Sequence, residues 1–140
     1  MYKRQEDNRR IVKDPYSNII SDALYTDGGM PHPRVYGAFP RVLETFVREE
    51  GLLSVEEAVM KMTSKAARVY GLTSKGVLAE GMDADIVVFD LDKVSTKASY
   101  TDSKQLATGY DYVIVNGAVT VKDDALLPQV KNGKLLLHKQ

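Results

Sequence analysis

Ile19-Ile20-Ser21-Asp22, followed by Pro31-His32-Pro33-Arg34 and Gly37-Ala38-Phe39-Pro40-Arg41, places a carboxylate at the end of a short apolar run. A Gly/Pro-rich loop and a helix start come next. Two adjacent isoleucines are apolar on both faces, as in a parallel strand covered from each side. Tyr16 to Asp22 is therefore predicted as a buried strand. In β/α enzymes the carboxylates that carry chemistry stand at that C-terminal end of a strand. Residues 23–36 read as a long loop, and loops of that length in compact proteins are usually functional. Within it, Asp27-Gly28-Gly29 lacks the lysine and helix start of a phosphate loop and reads as a turn.

Upstream, residues 2–13 are polar, with Glu6 and Arg10 at i,i+4 spacing, which predicts a short helix ending before Asp14-Pro15. Downstream, Phe39, Val42, Leu43, Phe46 and Val47 repeat at i, i+3, i+4, i+7 and i+8, one stripe of a helix that Gly51 ends. Ser54-Val55-Glu56-Glu57 is a capping box opening a second helix with Val55, Ala58, Val59 and Met62 inward. Thr63 or Ser64 caps a further turn, Lys65 to Tyr70, closed by Gly71. From Gly76 the hydrophobic period changes from helical to alternating. Ala84 to Asp90 reads as a strand, and residues 92–109 as polar and irregular. Tyr112 to Val115 and Ala118 to Val121, joined by Asn116-Gly117, carry the signal of a type I′ hairpin. A further edge strand is expected at Lys134 to His138. The stripe 39–47 and the run Ala84 to Phe89 are read as core. The fold class is α+β, with regions 1–75 and 76–140 divided where the period changes.

With 140 residues the chain has room for one domain or one lobe of a larger enzyme, not for an eight-stranded β/α barrel, which needs roughly 200 residues. Nineteen basic and nineteen acidic residues give zero net charge, which argues against nucleic acid as the partner. No apolar run reaches the ~18 residues of a membrane span, and no signal-peptide core is present. Without cysteine there is no disulfide framework and no redox clue to compartment; cytoplasmic is the default. The two histidines are too few for a self-contained histidine metal site.

In this order the motifs resemble the C-terminal third of the amidohydrolase superfamily and, within it, the N-acyl-D-amino-acid deacylases (D-aminoacylases). The resemblance covers about residues 10–122. It is carried by Ser21-Asp22, His32-Pro33-Arg34, Gly37-Ala38-Phe39-Pro40-Arg41, Leu53 to Val59, Lys61-Met62-Thr63-Ser64, Gly81 to Asp90, and Val113 to Gly117. Segments such as Ala84 to Asp90 are shared with dihydroorotase-like and urease-like enzymes. The His-Pro-Arg and Gly-x-Phe-Pro-Arg pair narrows the likeness to D-aminoacylases.

The resemblance implies the end of a TIM-like barrel, with residues 16–22 as its last strand and the helices from 39 to 70 outside. Residues 76–137 would join strands from elsewhere in the enzyme to form a β-sandwich. It implies a zinc-dependent hydrolase of linear amide C–N bonds, converting an N-acyl-D-amino acid to a D-amino acid and a carboxylate. Asp22 would be the acid/base and metal-facing carboxylate, and Arg34, Ser21 and His32 would face the substrate. Read from the residues alone, Asp22 also suits a turn-capping carboxylate. Arg34 could pair bidentately with a substrate carboxylate or stand as a surface arginine. His32 favours structural hydrogen bonding over metal binding. Ser21, outside any nucleophile elbow, favours a hydrogen bond at the strand end. Arg41 reads as packing, and His138 has no assigned role. The expected chain is inactive alone, partnered by a missing N-terminal barrel portion or by its own copies, since cut strands leave unpaired edges. A non-catalytic, self-associating module and a dihydroorotase-like cyclic amidase are the alternatives.

Overall fold

The computed structural model describes residues 5–24 and 28–136. Helices come first: α1 (Gln5–Lys13), α2 (Arg34–Arg41) running into a π-helix (Val42–Glu49), α3 (Val55–Met62) and α4 (Ser64–Val69). Strands β1 (Ile86–Phe89), β2 (Tyr110–Val115), β3 (Ala118–Lys122) and β4 (Ala125–Leu126) follow as one antiparallel sheet in chain order. The arrangement is α+β, with the helices and the sheet segregated along the chain.

Local chemistry accounts for most of these elements. In α1, Arg10 Nη2 donates to Glu6 Oε1 at 3.0 Å, the i,i+4 pair read from sequence. Arg9 holds α1 against the end of the π-helix through a two-pronged pair with Glu50 at 2.6 and 2.8 Å. In α3 the Ser54 hydroxyl accepts from Glu57 N–H while the Glu57 carboxylate accepts from Ser54 N–H, a complete capping box. Between β2 and β3, Asn116 and Gly117 take φ of +48° and +81°, the left-handed pair that a type I′ turn requires.

Four expectations are corrected. Residues 17–24 form no strand: Ile20 is 58% exposed, and Ile19 N–H donates to the Lys61 carbonyl at 3.2 Å. A parallel strand is stable only between neighbours, and no other described strand lies beside this segment. The helix expected from Phe39 starts at Arg34 and continues past Pro40 as a π-helix. Proline lacks the N–H that closes an α-turn, and after it the ladder shifts to wider turns, as in the Glu50 N–H bond to Thr45 O at 2.9 Å. The stripe is thereby rotated, leaving Phe39 40% exposed while Val42, Leu43 and Val47 are buried. In β1 only Ile86 and Phe89 turn inward, and Val87 and Val88 are exposed. The expected edge strand fails over Lys134 to Leu136, residues 137 and His138 lying outside the described ones. The last strand is instead β4, reached through Asp123-Asp124 at φ +49° and +62°, a conformation aspartate tolerates better than most residues.

The buried cluster joins Val42, Leu43, Val47 and Ala58 from the helices and Leu53 from the turn before α3 to Val94 from the stretch between β1 and β2, with Phe89, Leu91 and Tyr110 packed against it. That stretch is an ordered arch. Arg48 Nη1 donates to the carbonyls of Leu91 and Val94 at 2.7 and 2.6 Å, and the Glu44 carboxylate accepts from Ser95 Oγ at 2.6 Å. Paired Ser95 and Thr108 close the arch. At its base Gly109 sits at φ +91°, where a Cβ would come within 2.4 Å of the Val94 nitrogen. Ahead of β1, Lys75 Nζ pairs with Asp83 at 3.1 Å and with Asp85, and Asp85 Oδ1 accepts from Asn116 N–H at 2.7 Å.

Gly109→Ala should lower the unfolding free energy by about 3 kcal/mol, since strain at positive φ adds to a backbone clash. Gly117→Ala, also at positive φ but with open space around it, should lose about 1–2 kcal/mol; urea denaturation compares the two. Hydrogen bonds from Ser74 and Lys75 hold Asp83 below its ordinary range, and those from Lys75 and then the Asn116 N–H do so for Asp85. Their contribution to stability is complete above the ordinary carboxylate pKa of about 4 and is lost as pH falls through the lowered folded values. Lys75→Met should flatten that acid limb in thermal melts taken between pH 6 and about pH 2.

Candidate active-site corner

The segment leading to Asp22 is held by side chains in place of a sheet ladder. Lys61, on α3, is 3% exposed, and its Nζ donates to the carbonyls of Asp14 and Ser17 and to the Ser17 hydroxyl. Lys65 Nζ donates to the carbonyls of Pro15 and Ser17. Burial pushes the Lys61 ammonium below its usual pKa, and neighbouring Lys65 adds to this. An ammonium has three donors and no acceptor, so a cluster of carbonyls is a fitting replacement for its water shell. These contacts carry residues 14–19 across α3 and α4 and present the next turn of chain.

Asp22 follows at φ +48°, a left-handed conformation uncommon for a side-chain-bearing residue and concentrated at functional positions. Its Oδ2 accepts from Arg34 Nη1 at 2.6 Å. Arg34, the first residue of α2, also donates its backbone N–H and its Nε–H to His32 Nδ1, each at 3.1 Å. The imidazole thus caps the helix start, where Pro33 offers no side-chain hydrogen bond. His32 Nε2 lies 3.1 Å from the Tyr100 hydroxyl, and the two rings meet edge to face with centroids 5.1 Å apart. Ser21 is half-buried beside Asp22 and takes no part in this network.

The structure therefore brings Asp22, Arg34 and His32 together and leaves Ser21 beside them. Sequence reading did not single out Tyr100, Lys61 or Lys65. Tyr100 lies in the stretch read as irregular, 66 residues from Arg34 in sequence. Lys61 was visible only as a member of the Lys61-Met62-Thr63-Ser64 motif, and Lys65 only as the first residue of the turn Lys65 to Tyr70. The signal that could have found Lys61 is a lysine on the inward side of a helix, next to Ala58 and Met62.

His32, Arg34, Arg41 and Tyr100 line an open cleft of about 490 Å3 floored by Ala38 and Val42. The cleft exists because Gly37 lets α2 lie against the arch: a Cβ there would come within 2.7 Å of Thr96 Oγ1 and 3.3 Å of Ala98 Cβ. A second, more apolar groove of about 690 Å3 opens between the helices and the sheet, with Phe39, Met60, Val77, Leu78 and Val87 among its walls. Tyr110, also on its wall, has its phenol pushed up to about 12 by burial and by nearby Asp124. Among the described residues no group of three or more histidines, cysteines or carboxylates could hold a metal ion, and no helix is long and apolar enough to cross a membrane. A zinc site takes about four ligands; beside Arg34 the described residues supply one carboxylate, Asp22, already engaged by the guanidinium. They do not make a zinc site by themselves.

Comparison with known proteins gives the class. The amidohydrolase family profile matches residues 20–121, and the chain belongs to that family. It is 46% identical over 109 residues to an N-acyl-D-glutamate deacylase of Alcaligenes xylosoxydans xylosoxydans, a match covering 78% of this chain and 22% of that protein. The crystal structure of D-aminoacylase aligns with a TM-score of 0.84 at 38% identity, over 90% of this chain and 26% of the other. N-acyl-D-glutamate deacylase from Bordetella bronchiseptica, complexed with zinc and a phosphonate mimic of the tetrahedral intermediate, aligns at 0.80 and 39% identity, over 90% and 25%. The expected likeness to N-acyl-D-amino-acid deacylases therefore holds. The chain spans 22–26% of the length of three curated deacylases that it matches.

Lys61→Met keeps the buried stem and removes the donors. It should lower stability by about 2 kcal/mol by taking the charged donor away from the Asp14 and Ser17 oxygens, and should speed amide exchange at Ile19, measured by urea titration and hydrogen exchange.

Proposed function

We propose that this chain forms one corner of the active site of a zinc-dependent N-acyl-D-amino-acid deacylase, which hydrolyses a linear amide to a free D-amino acid and a carboxylate. The observation that carries the reading is the 2.6 Å contact between Asp22 and Arg34. It sets a carboxylate able to move protons beside a guanidinium able to hold a substrate carboxylate. An N-acyl amino acid needs the two groups close to each other, because its own carboxylate is one carbon from the scissile amide nitrogen.

In this reading Asp22 accepts the proton of the attacking water as the new C–O bond forms. It then delivers that proton to the amide nitrogen as the C–N bond breaks. Arg34 holds the substrate carboxylate, with His32 and Ser21 at the edge of the same pocket. Zinc, held by the solved relative, would have Asp22 as its one contact in this chain, with the other ligands coming from outside the described residues. Residues 1–75 then belong to the closing part of a barrel, and residues 76–140 to a composite β-sandwich. The apolar groove beside Phe39, Met60 and Leu78 and the outer edge of β1, unpaired among the described residues, favour an N-terminal barrel portion as the partner.

The same groove and edge support a second reading, a non-catalytic module that associates with its own copies. A cyclic amidase fits less well, since Arg34 suits a free carboxylate next to the cleaved bond.

The test follows zinc content and amine release with a panel of N-acetyl-D-amino acids, with the chain alone and with the barrel portion of a deacylase relative added. The expected result is no stoichiometric zinc and no turnover alone, turnover on mixing, and a loss of about 10²–10⁴-fold in Asp22→Asn. Turnover by the chain alone that vanishes in Asp22→Asn would overturn its expected inactivity. A dimer with no turnover in any mixture would favour the second reading.

A further inference from the structure

We propose that Tyr100 and His32 form a strut that sets the direction of the Arg34 guanidinium, making Tyr100 a positioning residue for recognition of the substrate carboxylate. The inference rests on the deacylase reading for the identity of the ligand, but the strut is a property of this chain.

One imidazole nitrogen cannot accept two hydrogen bonds while carrying a proton. His32 Nδ1 receives both the backbone N–H and the Nε–H of Arg34, so in a neutral ring the proton resides on Nε2. Nε2–H then donates to the Tyr100 hydroxyl oxygen at 3.1 Å. The hydroxyl accepts from this tautomer and, with the edge-to-face contact between the rings, fixes the imidazole plane. The opposite tautomer would turn an N–H toward two N–H groups of Arg34 and break both bonds.

The consequence falls on the guanidinium. Of its five N–H groups, Nε–H is taken by His32 and one on Nη1 by Asp22. Among the described residues the two on Nη2 and the second on Nη1 remain, one of the Nη2 pair lying alongside the engaged Nε–H and the other facing the Nη1–Nη2 edge. A carboxylate entering the cleft therefore meets the Nη1–Nη2 edge, with Asp22 at one end of it. Without the strut, rotation about the side chain would offer the Nε–Nη2 edge equally well and separate the bound carboxylate from Asp22. Tyr100 reaches His32 because the arch from 94 to 100 lies on Gly37, so a residue of the β region directs an arginine of the helical region.

The experiment records the His32 ring nitrogens and the Arg34 Nε–H by 15N NMR in the 140-residue chain, for the native protein and for Tyr100→Phe, which keeps the ring contact. The expected native spectrum shows a protonated Nε2 and an unprotonated Nδ1. In Tyr100→Phe the ring keeps that tautomer but loses the hydrogen bond at Nε2 that holds its plane, and Arg34 Nε–H exchange with solvent rises about tenfold as its acceptor swings away part of the time. A native ring protonated at Nδ1, or unchanged Arg34 exchange in Tyr100→Phe, would overturn the strut. Titration with N-acetyl-D-glutamate separates this outcome from the functional reading. If the ligand shifts Arg34 in the native chain and binds about tenfold more weakly to Tyr100→Phe, both stand. If Tyr100→Phe changes the ring and the exchange as expected, but the ligand moves Arg34 in neither protein, the strut stands and the substrate assignment fails.

Discussion

At Gly37 the helix that opens with Arg34 touches the arch between β1 and β2 so closely that Thr96 and Ala98 fill the space a side chain would need. The remaining geometry follows from this approach. It lets the arch close over Val42 and Val47, buries Val94 completely, and brings Tyr100 to the mouth of the 490 Å3 cleft. It also aligns Glu44 and Arg48, one turn apart, with the amide, hydroxyl and carbonyl groups of residues 91–96. A long connection with little secondary structure of its own is stable here because its polar groups are satisfied by two charged side chains from a facing helix.

A second constraint acts on the segment before Asp22. Its backbone has no strand neighbours among the described residues, so its carbonyls are met by Lys61 and Lys65. Point donors on flexible stems can satisfy carbonyls at irregular spacing, which a sheet ladder cannot. The chain then leaves the lysines and turns through positive φ at Asp22, and the carboxylate meets Arg34. The two ends of the site are set by different means: Asp22 by anchored backbone, and Arg34 by a capped helix start.

Membership of the amidohydrolase family gives these features a common sense. Asp22, His32 and Arg34 all lie on or at the end of one connection, the stretch between α1 and the start of α2. The apolar walls on the opposite side of the helices, and the outer edge of β1, are surfaces of the kind that folded proteins seldom leave uncovered. They separate the chain into a polar corner suited to chemistry and an apolar flank suited to contact.

Local signals in the sequence were sufficient where the physics is local. The capping box at Ser54, the Asn116-Gly117 turn, the end of α1 before Asp14-Pro15 and the His32-Pro33-Arg34 motif each depend on residues within a few positions of one another, and all could be read directly. Hydrophobic periodicity located the helix after Arg34 but not its π-turns, because the stripe assumes an unbroken α-ladder and Pro40 breaks it. Two isoleucines pointed to a strand before Asp22, yet strand formation is decided by neighbours. The exposed faces of Phe39 and β1 likewise depend on what is packed against them. Tyr100 and Lys61 were legible only as residue types, since their partners lie 68 and 44–47 positions away in the chain. The sequence by itself determined the helical and β halves, the hairpin, and the candidate residue types on the connection that carries Asp22, His32 and Arg34. Tertiary structure alone decided which of them meet, because a contact between distant segments is set by burial and close approach, as at Gly37, and leaves no periodic mark in either segment.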